Sequence, residues 1–157
     1  MGEVPQRLVA TVTCLLAIGL AMAGCGSGSD SSTASISKAE FIKAADSICE
    51  EAAKRVQADY AVFLKEHEKV TNPTKAEFDE LADQVFVSNV EDEIAELQAL
   101  GRPAGDGGKI EAFIDARQES IQIAEENPKM LLTEGAKVTA KSAQIAQQYG
   151  PKTCGNA

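Results

Sequence analysis

Four cysteines, one histidine, two acidic runs, a lone aspartate and a misplaced arginine are the side chains in this sequence with types and spacing suited to chemistry. His67, in Glu66-His67-Glu68-Lys69, is the only imidazole, so catalysis by a histidine pair is excluded. As an axial haem or metal ligand it would need partners, and the chain has no C-x-x-C-H, H-E-x-x-H or Glu-x-x-His motif; a surface histidine is expected. Glu77, Asp79, Glu80 and Asp83 form one acidic group, and Glu91, Asp92, Glu93 and Glu96 a second. Hard cations take carboxylate oxygens, but a calcium loop needs its glycine turn, and these carboxylates fall on one face of a helix whose other face is apolar. The first group also complements a helix N-terminus. Both are read as solvated faces, with no metal and no cofactor. Asp46 has no base, nucleophile or oxyanion donor in a recognisable context, and neither a phosphate-binding glycine loop nor a nucleophile elbow occurs, so no catalytic residue is assigned and the chain is not read as an enzyme. Arg117 falls inside an apolar stripe. A guanidinium there must be paired or must snorkel, so a structural salt bridge is expected, with an anionic ligand group inside the fold as the second use.

The thiols divide by position. Leu8 to Gly24 carries no charge, is shorter than the roughly 20 residues a spanning helix needs, and ends in small residues as a cleavable signal does. Met22-Ala23-Gly24-Cys25 resembles the lipobox of bacterial lipoproteins. The resemblance implies cleavage before Cys25 and a thioether-linked diacylglycerol on its sulfur, with acyl chains such as palmitate. Cys14 is a poor alternative, because Thr13 is not the small residue that box requires. After Cys25 comes Gly26-Ser27-Gly28-Ser29-Asp30-Ser31-Ser32-Thr33-Ala34-Ser35, a flexible composition spanning about 16–19 Å. Residues 1–24 are therefore read as a lipoprotein signal peptide, 25–36 as lipidated cysteine and tether, and 37–157 as the domain. Localisation is expected at the cell membrane, lipid-anchored and facing the extracytoplasmic side.

The domain must then be built from helices. Aromatic residues are 4% of the chain, with no Trp, against 44% hydrophobic residues, so the core is made of Ala, Leu, Ile and Val and a strand-rich fold is disfavoured. Ser37-Lys38-Ala39-Glu40 is a capping box, and Phe41, Ala45, Ile48, Ala52, Val56, Tyr60 and Phe63 form one helical face fading near Lys69, before Asn72-Pro73. Thr74-Lys75-Ala76-Glu77 is a second box, opening a stripe of Phe78, Ala82, Phe86, Val90, Ile94, Leu97 and Leu100 that Gly101 is placed to end. Ile110, Phe113, Ile114, Arg117, Ile121 and Ala124 make a third stripe, stopped by Asn127-Pro128. Asn127 can cap a fourth helix through Leu131, Gly135, Val138, Ser142, Ile145 and Tyr149, ended by Gly150-Pro151. The expected fold is all-α: an antiparallel four-helix bundle, its first two helices about 45 and 40 Å long and the last two nearer 30 Å.

Cys49 lies on the apolar side of helix one and Cys154 just past helix four. In an up-down bundle the tail after Tyr149 reaches at most about 16–18 Å, which suffices for a disulfide in an oxidising compartment; two free thiols are the other reading. Phe41-Ile42-Lys43-Ala44-Ala45-Asp46-Ser47-Ile48-Cys49, with Tyr149-Gly150-Pro151-Lys152-Thr153-Cys154-Gly155, resembles small lipoproteins of high-GC Gram-positive bacteria, whose pattern is F-x-x-x-A-D-x-I-C in the opening helix and Y/L-G-x-x-x-C-G in the tail. The resemblance implies the Cys49–Cys154 disulfide and an extracytoplasmic location, and no activity.

The formal charge of −9 offers no positive surface for nucleic acid. Loss of residues 1–24 removes Arg7 and Glu3 and leaves that charge unchanged, so an anionic membrane surface repels the domain and the lipid must hold it. The expected function is a non-enzymatic interaction domain for an envelope protein partner. The alternative is a carrier of a small apolar or anionic ligand, with Arg117 facing its polar end; a passive spacer is a third possibility. A cavity discriminates among them: a filled core excludes the carrier, whereas a pocket of several hundred Å³ beside Arg117 weakens the interaction reading.

Overall fold

The two capping boxes set the first helical starts. In the computed structural model, which describes residues 35–67 and 73–155, Ser37 Oγ accepts from the Glu40 N–H at 3.2 Å while Glu40 accepts from the Ser37 N–H at 2.8 Å. Thr74 and Glu77 make the same reciprocal pair. Helix α1 runs Lys38–Glu66 and α2 Lys75–Leu81. A π-helical segment, Ala82–Val87, leads into α3, Ser88–Ala99. Then come α4, Gly107–Glu126, α5, Met130–Thr133, α6, Gly135–Val138, and α7, Ala140–Tyr149. The signal peptide, Cys14, Cys25, most of the tether and the expected end of helix one near Lys69 lie outside the described residues. Among the described residues the fold is all-helical, without strands, and no helix is long and apolar enough to cross a membrane.

The second helix ends just before Gly101, as expected: α3 stops at Ala99 and its cap, Leu100, is already extended. Arg102 supports the stop, because its Nη1 donates to the carbonyls of Leu97 and Leu100 at 3.0 and 3.1 Å; a cation there also meets the negative end of the helix dipole. Two expectations further along the chain are corrected. Asn127 does not cap a fourth helix. It closes α4, donating to the Ile123 carbonyl at 3.0 Å, and its own carbonyl accepts from the Met130 N–H at 2.9 Å. The fourth helix is not continuous but breaks at Glu134 and Thr139 into α5, α6 and α7. The local sequence accounts for the breaks: Thr133, Gly135 and Thr139 are weak helix formers, and the Thr133 hydroxyl donates back to the Lys129 carbonyl at 3.2 Å.

The core joins α1, α3, α4 and α7 around Phe41, Leu97, Ile110, Ile114 and Ala146. α1 packs on α3 and the π-helical segment, while α4 packs on α3, that segment and α7. The C-terminal tail is bound to α1 at several points. Phe41 and Tyr149 meet edge to face at 5.9 Å, Asp46 Oδ1 accepts from the Thr153 N–H at 2.7 Å, and Cys49 and Cys154 form a disulfide with Cα atoms 5.2 Å apart. Gly150, at φ +140°, has a backbone conformation that strains any L side chain, and an added Cβ would sit 2.6 Å from Ile42 Cδ1, which would have to move.

Tyr149 also ties the end of α7 to the start of α4. Its hydroxyl donates to Asp106 Oδ2 at 3.1 Å, and Lys38 Nζ lies 4.5 Å from the ring centre. The Lys109 ammonium, with help from the phenol, holds Asp106 below the usual carboxylate range. Burial first, and the Asp106 carboxylate second, push Tyr149 up to about 12 from an ordinary 10.0. The folded state thus keeps the phenol proton to higher pH than the unfolded chain does. The resulting stability is complete below the ordinary phenol value and is lost as pH rises through the interval up to the folded one. Alkaline denaturation followed by circular dichroism is expected to steepen in that window, and Tyr149→Phe to flatten it; identical profiles would contradict the assignment.

Candidate functional site

The apolar face of α1 is covered unevenly. Phe41, Ala45, Cys49 and Ala52 are buried, whereas Val56, Tyr60 and Phe63 further along are only half-buried. Across from this stretch of α1 stand the short helices α5 and α6. A cleft of about 560 Å³ opens there between Val56, Gln57 and Tyr60 of α1, Leu81, Val85 and Phe86 on the opposite wall, and Leu131, Leu132, Gly135 and Ala136. Val56, Gln57, Phe86 and Thr139 also line a more enclosed chamber of about 300 Å³, whose other walls include Cys49, Ala52, Ala53, Asn89, Val90, Glu93 and Arg117. The two hollows therefore share a wall. A larger hollow of about 760 Å³ beside Phe78 and Asn127–Glu134 is bordered by mostly exposed side chains, Lys75, Glu126 and Lys129 among them, and lacks an enclosed apolar interior.

The π-helical segment shapes the second wall. Phe78, Ala82, Phe86, Val90 and Ile94 recur every fourth residue. On a 3.6-residue helix that spacing drifts about 40° per step. A wider turn absorbs part of the drift, and the Ser88 N–H reaches back to the Asp83 carbonyl, the i→i−5 bond of a π turn. Asn89 is buried, donating through Nδ2 to Asp59 Oδ2 at 2.7 Å and to the Val85 carbonyl at 3.0 Å. Glu93 is 1% exposed, and this corrects the expectation of a solvated carboxylate at that position; Glu91 and Asp92 beside it are exposed. Its partner is Arg117, 5% exposed, whose Nη2 donates to Glu93 Oε2. Glu93 Oε1 lies 3.5 Å from Cys49 Sγ. Arg117 Nε is buried and has no acceptor among the described residues. A carboxylate and a guanidinium so deeply placed tolerate desolvation only as a pair.

The other singled-out residues go elsewhere. His67 is half-buried at the end of α1, stacked on Phe63 at 4.2 Å, with Glu77 and Glu80 carboxylate oxygens 3.6 and 3.8 Å from its ring nitrogens. Asp79 pairs with Lys75 and Glu96 with Arg55. Asp46 anchors the tail that carries Cys154. No group of three or more His, Cys, Asp and Glu side chains among the described residues is arranged to hold a metal ion. Comparison with protein families, with curated proteins and with solved structures finds no match to this chain. Functional inference therefore rests on the cleft itself. Its walls offer apolar surface, two amide side chains, two hydroxyls and one internal ion pair.

Proposed function

We propose that this protein is a lipid-anchored extracytoplasmic carrier that holds a small, largely apolar molecule in the cleft between α1, the π-helical segment and α5–α6. The observation that carries this reading is the chamber beside Arg117, continuous in its walls with an apolar cleft of about 560 Å³, within the size range of small-molecule sites. The expected interaction domain rested on the absence of a catalytic or cofactor constellation and on delivery to the envelope; a pocket beside Arg117 favours the carrier alternative. The proposed arrangement is the antiparallel four-helix bundle, with α5, α6 and α7 together as its fourth arm. The Phe41–Tyr149 contact and the Cys49–Cys154 disulfide support it by bringing the start of α1 to the end of α7. No catalytic step is assigned.

Delivery to the membrane rests on Met22-Ala23-Gly24-Cys25, the Gly/Ser tether and the resemblance to high-GC Gram-positive lipoproteins. Detergent partitioning tests it: the wild type is expected in the detergent phase and Cys25→Ala in the aqueous phase. Equal partitioning of both would refute the anchor. For the cleft, an environment-sensitive apolar dye is expected to bind the wild type and not Gly135→Trp. Gly135 lines the cleft, and a Cβ there meets nothing within 4 Å, so the backbone accepts a side chain at this edge of the site. Equal dye binding by both would contradict the site's location.

A further inference from the structure

We infer that an anionic lipid surface orients the anchored domain, drawing in the end that carries Lys38, Lys43 and Lys152 and leaving the cleft turned to the aqueous side. The inference rests on the anchored-carrier reading and adds where its site faces. The described residues divide by charge along α1. At the end where the chain enters α1, segments 37–46, 97–111 and 145–155 come together through the contacts of Tyr149 with Phe41, Lys38 and Asp106. They hold five basic and four acidic side chains. Toward the other end of α1, segments 59–67, 73–83 and 119–141 hold five basic and ten acidic ones.

The four carboxylates near the tether are already engaged. Glu40 accepts from the Ser37 N–H and Asp46 from the Thr153 N–H. Asp106 accepts from the Tyr149 hydroxyl and from Lys109, and Glu111 pairs with Arg102. Lys38, Lys43 and Lys152 are exposed there and make no ion pair among the described residues. At the far end it is carboxylates that stand open: Glu66, Asp83, Glu125 and Glu126 are exposed, without an ion pair among the described residues. An anionic surface attracts the first set and repels the second, over a range of about 8 Å at physiological salt. The formal charge of −9 still opposes adsorption of the whole domain, so the lipid supplies the attachment and the charge asymmetry supplies the direction. The tether, spanning about 16–19 Å, keeps the basic end as the near one. Val56, in the cleft wall, lies about 27 Å along α1 from Lys38. At that height the cleft exchanges its ligand with the aqueous side, not with the membrane beneath.

The test uses the lipidated full chain in vesicles, with a bimane fluorophore on Ala39→Cys or on Ala61→Cys and a quenching nitroxide on the lipid headgroups. Both positions are exposed on α1, separated by a rise of about 33 Å. Cys25 is acylated and Cys49 is bonded to Cys154, which leaves the added thiol to be labelled. In vesicles with about 30% phosphatidylglycerol at low salt, quenching at Ala39→Cys is expected to exceed that at Ala61→Cys by at least about threefold. The tether alone gives part of that excess. The charge contribution is the part removed by about 0.5 M salt, by phosphatidylcholine vesicles, or by Lys43→Glu with Lys152→Glu, each lowering the ratio about twofold. Equal quenching at the two positions, or a ratio indifferent to salt and to lipid charge, would overturn the orientation and leave the anchor and the cleft standing. An unchanged ratio in the lysine variant would overturn the part given to those two side chains. Protein that does not stay with the vesicles, seen as no quenching at either position, would instead overturn the anchored reading.

Discussion

Arg117→Met is expected to cost about 3–5 kcal/mol of folding stability, because it strands the Glu93 carboxylate in the interior. Both members of the pair are almost wholly buried, so water does not repair the loss. The expected signature is a double-mutant cycle. Glu93→Leu alone leaves the guanidinium unpaired and is expected to cost a similar amount. Arg117→Met combined with Glu93→Leu removes both charges, and is expected to recover most of the loss, since an apolar pair of similar volume often matches a buried ion pair. Urea denaturation of the four proteins measures this. Additive single-mutant costs in the double variant would mean that the two side chains do not act as one unit.

Removal of the disulfide is the other large effect. The bridge joins residues 105 apart in sequence, and in the chain-entropy model a loop of that length contributes about 4.7 kcal/mol through the unfolded state. Cys49→Ala with Cys154→Ala is expected to lower stability by about 3–5 kcal/mol and Tm by more than about 10 °C. Both sulfurs are buried, so native protein is expected to resist alkylation until it is reduced and unfolded. Two thiols that alkylate in the folded, unreduced protein would contradict the bridge. The same variant tests the cleft: Cys49 lines the chamber and contacts Glu93, so dye binding is expected to weaken along with stability.

The sequence was most legible where a local rule acts alone. Both capping boxes formed as written, because Ser37–Glu40 and Thr74–Glu77 need only three residues' separation to satisfy each other. The resemblance pattern has contacts behind its letters: Phe41 on Tyr149, Asp46 on the Thr153 N–H, Cys49 on Cys154, and Gly150 against Ile42. What stayed hidden depended on tertiary register. Glu93 lies in an acidic run, yet within the regular helix α3 it stands three residues after Val90 and four before Leu97, on the apolar face, and Arg117 on another helix makes its burial tolerable. The π turn had its own signal in the strict four-residue spacing from Phe78 to Ile94, which a 3.6-residue helix does not hold on one face. The breaks at Glu134 and Thr139 were masked by a stripe that kept its apolar spacing across residues with weak helix propensity. Those two departures, the π turn and the broken fourth helix, supply opposite walls of the cleft.

Native mass spectrometry of the protein extracted from its own envelope tests the central claim most directly. The wild type is expected to carry a non-covalent small molecule beyond its own lipid modification, released on collisional activation, and Gly135→Trp prepared in parallel is expected to lack it. A wild type that shows the mass of the lipidated chain alone, or an added mass retained equally by Gly135→Trp, would contradict a carrier that works through this cleft.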